Sequence, residues 1–227
     1  YGLDMRCGTE PEMMWLKRGD DGQPNGGVTK PNCYHIDQFE ELRPVFMKVI
    51  EYSEQMGLDI IQGDHEDAPG QLELNTQFDD VLRNADRLTT YRQICAQVAR
   101  EFGLIACFMS KPFMGVSASG CHHNMSLWKG GKDVFHPEIA GAEGELPGMP
   151  GCFMYKEGGE NTFMPDPSID EKMPGPIGLN SIGGVIKHLP ALTSIGSSTV
   201  NSYRRLWDTG FWAPIFADWG YQNRTCA

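Results

Sequence analysis

Three short stretches carry polar side chains at spacings that could do chemistry. Glu10 and Glu12 stand two apart in "GTEPEMMW". Glu66 and Glu73 flank Pro69 and Gly70 in "GDHEDAPGQLELN". His122, Asn124 and Ser126 alternate in "CHHNMSLW". On extended backbone, residues two apart point to one face. Acidic groups gathered away from water need positive charge between them. Four carboxylates and one imidazole suit Mg2+ or Mn2+ better than a structural zinc. Two such ions bridging phosphate oxygens would be the natural use. Singly, each piece also fits a plainer role: Glu-x-Glu as a solvated strand face, His122 as a hydrogen-bonded core histidine. Spacing alone does not join the three.

The elements that must present them are legible in outline. "MRCGTEPEMMWLKR" (5–18) reads as a strand, and "DDGQPNGG" (20–27) has turn chemistry. "DQFEELRPVFMKVIEYSEQMG" reads as a helix capped by Asp37, with Glu40 completing a capping box and Gly57 stopping it. Its apolar face would be Phe39, Leu42, Phe46, Val49, Ile50 and Met56, with an irregularity at Pro44. "LDIIQ" (58–62) and "QLELNTQF" (71–78) are strands joined by the Pro69-Gly70 turn. Residues 79–103 form a long helix with Val81, Leu82, Ala85, Leu88, Tyr91, Ile94, Cys95 and Val98 on one side. "LIACFMSK" (104–111) and "CHHNMSLW" (121–128) are further strands around a small-residue loop. Residues 129–176 are rich in Gly, Pro and acids and read as a surface insertion. "LNSIGGVIKHLPALTSIGSS" is a third helix, weakened by Gly183, Gly184 and Pro190. Strands and helices do not alternate strictly, which points to α+β.

Composition narrows the function. A net charge of −11 argues against a nucleic-acid partner. No apolar run reaches membrane-spanning length and no signal peptide is visible. The seven cysteines are scattered, odd in number and free of any CxxC pair, as in a cytoplasmic protein with reduced thiols. The chain starts at Tyr1 and stops at Ala227 within an apparent strand, so a piece of a longer protein is expected.

"GTEPEMMW", "GDHEDAPGQLELN", "KPFMGVSASGCHHNMSLW" and "VNSYRRL" followed by "APIFADWGYQNRT" occur in that order along nearly the whole chain. This series resembles the catalytic domain of the glutamine synthetase family. The resemblance implies a curved, mainly antiparallel half-barrel sheet backed by helices. It implies that residues 1–227 are part of that domain, with an N-terminal domain and a C-terminal part outside the chain. It also implies an ATP-dependent ligase that joins ammonia or a small amine to the γ-carboxylate of L-glutamate through γ-glutamyl phosphate. Glu12, Glu66 and Glu73 would hold one Mg2+ or Mn2+ ion, near the attacking glutamate. Glu10 and His122 would hold a second ion on the ATP phosphates, the family's third ligand there lying beyond Ala227. Arg205 matches the arginine that binds glutamate and its γ-phosphate, and Arg224 one that neutralises ATP phosphates. Phe78, Asn124 and Ser126 match nucleotide-contacting positions. Members assemble as homo-oligomeric rings, often two stacked hexamers, with active sites between subunits, so the segment alone is expected to be inactive.

The chain departs from the family at the amine. Where members have a short segment with a glutamate that helps bind ammonium, this chain has "WDTGFWAP", one residue longer, with Trp212 in the glutamate's place. A tryptophan removes a negative charge and adds an apolar, π-rich wall, suited to an organic amine; plain packing is the other reading. Ile61 stands where a glutamate is common, and Ser117-Ala118 where an Asn-Gly pair contacts the substrate backbone. The alternatives are a non-catalytic structural relative, which loss of metal ligands would mark, and a phosphagen-type kinase, which lacks this carboxylate set.

Overall fold

The computed structural model describes residues 1–27, 33–135 and 174–207, together with Ala213 and Trp219. The chain divides into two compact units. One comprises Tyr1–Arg6, Ser126–Leu192 and Ala217–Ala227; the other, Cys7–Met125 and Thr193–Phe216.

The second unit is organised around β1 (Asp4–Arg18). β2 (Pro24–Gly27) pairs antiparallel with its end. β3 (Ile60–His65) and β4 (Gln71–Thr76) form an antiparallel pair, and β4 lies beside β1 with Glu12 opposite Glu73 and Met14 opposite Gln71. The short β5 (Asp79–Asp80) also pairs with β1. β6 (Leu104–Cys107) pairs antiparallel with it through Met14–Cys107 to Lys17–Leu104. β7 (Cys121–Lys129) is β1's further neighbour in the sheet. Register shifts between Leu16 and Arg18 and between Ile60 and Gln62 are the irregularities that bend strands.

Two helices back this sheet. α1 (Ile36–Gln55) buries Leu42, Val45, Phe46, Val49 and Ser53; α2 (Val81–Glu101) buries Asn84, Arg87, Tyr91, Ile94, Cys95, Val98 and Ala99. Steps of three and four put each set on one stripe. Both stripes close over Met13, Trp15, Leu72 and Leu74. The opposite face of β1 carries Met14 and Leu16 against Ala68 and Cys107. Alternation along one strand therefore separates the main core from the face that bears Glu10 and Glu12. The class is the expected one: α+β, with a curved, mainly antiparallel sheet backed by helices.

Several local expectations are corrected. α1 begins after His35, which makes no side-chain cap, and Asp37 lies inside the first turn, where its charge still favours the helix dipole. Pro44 sits within the helix without ending it, and Met56, assigned to the apolar face, is exposed. α2 is capped by Asp80, whose Oδ1 accepts from Leu82 N (3.1 Å) and Arg83 N (3.0 Å). Val81 and Leu82 are consequently at an exposed helix start rather than in the core. β6 ends at Cys107, short of Lys111. Beyond it, Ser110 O accepts from Ser119 N (2.8 Å), and Lys111 N donates to the Asn201 side chain (2.7 Å). Those groups are thus unavailable to the sheet.

In the first unit, the end of β7 turns through Gly130 and Gly131 into β8 (Lys132–Asp133). Both glycines have positive φ, 57° and 79°, as a two-residue hairpin turn requires. α3 (Pro176–Gly196) opens on a proline, which is favourable at a first helical position, and continues through Gly183, Gly184 and Pro190. α4 (Val200–Trp207), in the second unit, carries Asn201, Tyr203, Arg204 and Arg205. No described helix is long and apolar enough to cross a membrane.

Candidate active site

Carboxylates of β1 and β4 lie beside each other and beside His122 of β7 within the second unit. Glu12 and Glu73 are direct cross-strand neighbours on β1 and β4. Glu10 Oε2 lies 3.0 Å from His122 Nδ1, and Glu10 Oε1 accepts from Asn124 Nδ2 at 2.8 Å. Glu12 Oε2 accepts from Gln71 Nε2 (2.8 Å) and Gly120 N (2.9 Å). Glu73 Oε1 accepts from Asn75 Nδ2 (2.8 Å). Glu66 follows β3 at the turn, its backbone N–H bonded to Gln71 O (3.0 Å).

The electrostatics record this crowding. Burial pushes the Glu73 carboxyl from 4.5 to about 7; the Asn75 bond opposes that, and Glu10, Glu12 and Glu66 add to it. Burial also raises Glu12, against the Gly120 N–H, His122 and Arg205. Tyr34, in the turn before α1, feels the same field: Glu66 first, then burial and other acids, raise its phenol. It is the one described non-glycine residue with positive φ (56°), and its N–H bonds to His65 O (2.8 Å). Sequence reasoning did not single out Tyr34; no spacing signal links it to Glu66.

The donor set suits a hard divalent ion. Glu10 Oε2 and His122 Nδ1, 3.0 Å apart, set a carboxylate and an imidazole side by side, donors that such an ion would take. A Cβ built on Gly120 would lie 3.1 Å from His122 Nε2 and 3.2 Å from Glu12 Oε1. Both atoms thus border the space that a glycine leaves open. Among the described residues, however, no three His, Cys, Asp or Glu groups converge at metal-holding distance. The acids instead lean on Gln71, Asn75, Asn124 and the Gly120 N–H. The residues fit the ion in type and neighbourhood, as a set still closed on its own hydrogen-bond donors.

Arg205 reaches the same field from α4. Its Nη2 donates to Ser197 Oγ (3.0 Å), while its buried Nε has no hydrogen-bond partner among the described residues. Burial lowers its pKa, and Glu12 opposes the shift. Arg204 beside it is exposed, which separates the two arginines that the sequence left ambiguous. Asn201 of α4 exchanges hydrogen bonds with the Lys111 backbone, 2.7 Å each way, so this helix is pinned to the start of the Ser110–Gly120 loop. At its other end Ser117 Oγ donates to the Asp67 carboxylate.

Phe78 is exposed rather than core and lies against Gly8, where a Cβ would meet Phe78 Cβ at 3.4 Å. Ser126, in the first unit, accepts from Trp128 Nε1 (2.8 Å), and Arg6 stacks 4.1 Å over the Trp128 ring. Ile61 is exposed. Trp212 and Arg224 lie outside the described residues, as does most of the 129–176 insertion. Gln71 is the most connected residue that sequence reasoning passed over; lying two before Glu73 on one strand, it shares the site's face.

Residues 1–144 and 153–227 match the family described as glutamine synthetase, catalytic domain. A glutamine synthetase of Methanosarcina mazei is 32% identical over 99% of this chain and 43% of its own length. A solved GmaS/ADP complex is 26% identical with a TM-score of 0.70, covering 99% of this chain and 47% of that one. The cryo-EM structure of Plasmodium falciparum glutamine synthetase shares the fold at 21% identity and a TM-score of 0.67, over 91% and 40%. The chain thus spans less than half the length of these relatives.

Proposed function

The chain belongs to the glutamine synthetase family, and from that premise we propose that it carries the catalytic centre of an ATP-dependent glutamate–amine ligase. The observation that supports this most is the set of pairwise neighbours Glu12 and His122 at Gly120, Glu10 beside His122 and Glu73 opposite Glu12, with the Arg205 charge acting on Glu12. A γ-carboxylate oxygen of glutamate attacks the γ-phosphorus of ATP, and the bond to the bridging oxygen breaks to release ADP. The amine nitrogen then attacks the acyl carbon of γ-glutamyl phosphate, loses a proton, and phosphate leaves with the carboxylate oxygen.

Glu12, Glu66 and Glu73 would hold one Mg2+ or Mn2+, and Glu10 and His122 a second. Bound there, the ions would draw charge from the phosphoryl oxygens. Arg205 presents its unpartnered Nε and guanidinium charge to the transferring phosphoryl group. The Ser117–Gly120 loop seats the glutamate. By the family resemblance, Phe78 and Asn124 would contact the nucleotide. The acyl phosphate must be shielded from water; Trp212 would help close the site and shape it for the amine.

The amine is ammonia or a small organic amine. Similarity to glutamine synthetases supports the first. Similarity to GmaS, a γ-glutamylmethylamide synthetase, supports the second, as does an apolar Trp212. A cytoplasmic homo-oligomeric ring belongs to the same proposal. The test is glutamate labelled with heavy oxygen in its γ-carboxyl group. One labelled oxygen should appear in each phosphate released by the full-length protein. Unlabelled phosphate would overturn the reading.

A further inference from the structure

Gln71 is 1% exposed, and both ends of its carboxamide are used. Oε1 accepts from Ala68 N (2.9 Å). Nε2 donates to Glu12 Oε2 (2.8 Å) and also lies 3.0 Å from Ala118 O and 3.2 Å from Ser119 Oγ. Two N–H groups therefore serve three acceptors. The Gln71 backbone bonds to Ala68 O (2.9 Å) and to Glu66 N (3.0 Å). One residue thus joins the turn that carries Glu66, the carboxylate of Glu12, and the end of the Ser110–Gly120 loop.

The consequence falls on Glu12. Its Oε2 is held by two donors, Gln71 Nε2 and Gly120 N, while Oε1 faces the gap shared with His122 Nε2. A neutral amide fixes the carboxylate's rotation without neutralising it. A carboxylate at this position would repel Glu12; an apolar side chain would leave Oε2 to the Gly120 N–H alone and remove a donor from the Ala118 carbonyl. The loop end is fastened by the same N–H groups, so displacing the amide loosens both partners together.

We propose that Gln71 is a positioning residue for the ligase reaction: its side-chain amide aims Glu12 and locks the Ser117–Gly120 loop to that carboxylate, coupling ion binding to glutamate binding. This rests on the functional reading above. Two variants test it in the full-length protein. In Gln71→Met, Mn2+ affinity, read from the electron paramagnetic resonance of free Mn2+, should fall about tenfold or more, as when a partner of a metal ligand is lost. KM for glutamate should rise with it, while KM for ATP moves far less. Gln71→Glu keeps the shape and the Ala68 bond but replaces the donor with an oxygen. Its Mn2+ affinity and its glutamate KM should shift as in Gln71→Met while KM for ATP stays near the parent's; a merely structural role would move all three together. Should Gln71→Met fail to fold, Gln71→Glu carries the test. Parental Mn2+ affinity and glutamate KM in a folded variant would overturn the inference alone. Failure of the parent protein to bind Mn2+ would overturn the functional reading with it.

Discussion

Gly120→Ala separates the site from the fold with a single methyl group. The added Cβ would lie 3.1 Å from His122 Nε2, 3.2 Å from Glu12 Oε1 and 3.5 Å from His122 Cδ2. Ordinary contact is about 3.5–4.0 Å, so two side-chain tips must retreat by a few tenths of an ångström. The backbone is not at issue, since Gly120 is not among the glycines with positive φ. Overpacking inside a core costs about 1–3 kcal/mol. The atoms here are free ends of side chains, so the cost to folding should be below about 1 kcal/mol. Those ends are also the proposed ligand atoms, and a site tolerates misplacement of only about 0.5 Å. Mn2+ affinity should therefore fall about 10- to 100-fold, or roughly 1.4–2.8 kcal/mol. Calorimetric Mn2+ titration and urea unfolding, run on the same preparation, read the two effects separately. Parental affinity in a folded Gly120→Ala protein would refute the placing of Glu12 and His122 ligand atoms at that space. A stability loss above about 3 kcal/mol would show that Gly120 serves packing instead.

Three further outcomes follow from the same geometry. Glu73 has a folded pKa of about 7 against 4.5 for the free group. Its protonated form therefore contributes stability to the metal-free protein that is fully present below about pH 4.5 and is lost as pH rises through about 7. Mn2+ must displace that proton, so apparent affinity should fall up to about tenfold per pH unit below 7, and Glu73→Gln should flatten this dependence in pH-resolved titrations. Arg205→Met should lower kcat by about 10²-fold or more without weakening Mn2+ binding, because the charge removed is positive; steady-state kinetics beside the titration check both. Asp80→Ala removes the α2 cap and should cost about 1 kcal/mol in urea unfolding while leaving Mn2+ affinity unchanged.

Strand and helix identities were legible where period and length agreed. β1 and α2 were read nearly to their ends, because Glu10 and Glu12 alternate with buried residues and Tyr91, Ile94, Cys95 and Val98 form one stripe. The reading failed where tertiary partners decided. His35 precedes α1 without a cap because the packed stripe from Leu42 to Ser53 holds the helix regardless. β6 does not run on to Lys111, whose backbone groups are taken by Asn201, some ninety residues away. Arg205 was separable from Arg204 only once α4 turned one of them inward. The acidic residues and His122 were picked out by spacing and resemblance, and the fold sets Glu10 beside His122 and Glu12 opposite Glu73. Gln71 and Gly120 could not be chosen by type. A glutamine beside a turn and a glycine before a strand are common, and their importance lies in atoms brought near from elsewhere.

The most direct measurement is phosphate release by the full-length protein with ATP, Mg2+ and glutamate, comparing ammonium, methylamine, ethanolamine and putrescine. The account predicts release that requires glutamate and an amine together, with the matching γ-glutamyl amide accumulating in equal amount. Release that ignores glutamate, or none with any amine, would contradict it.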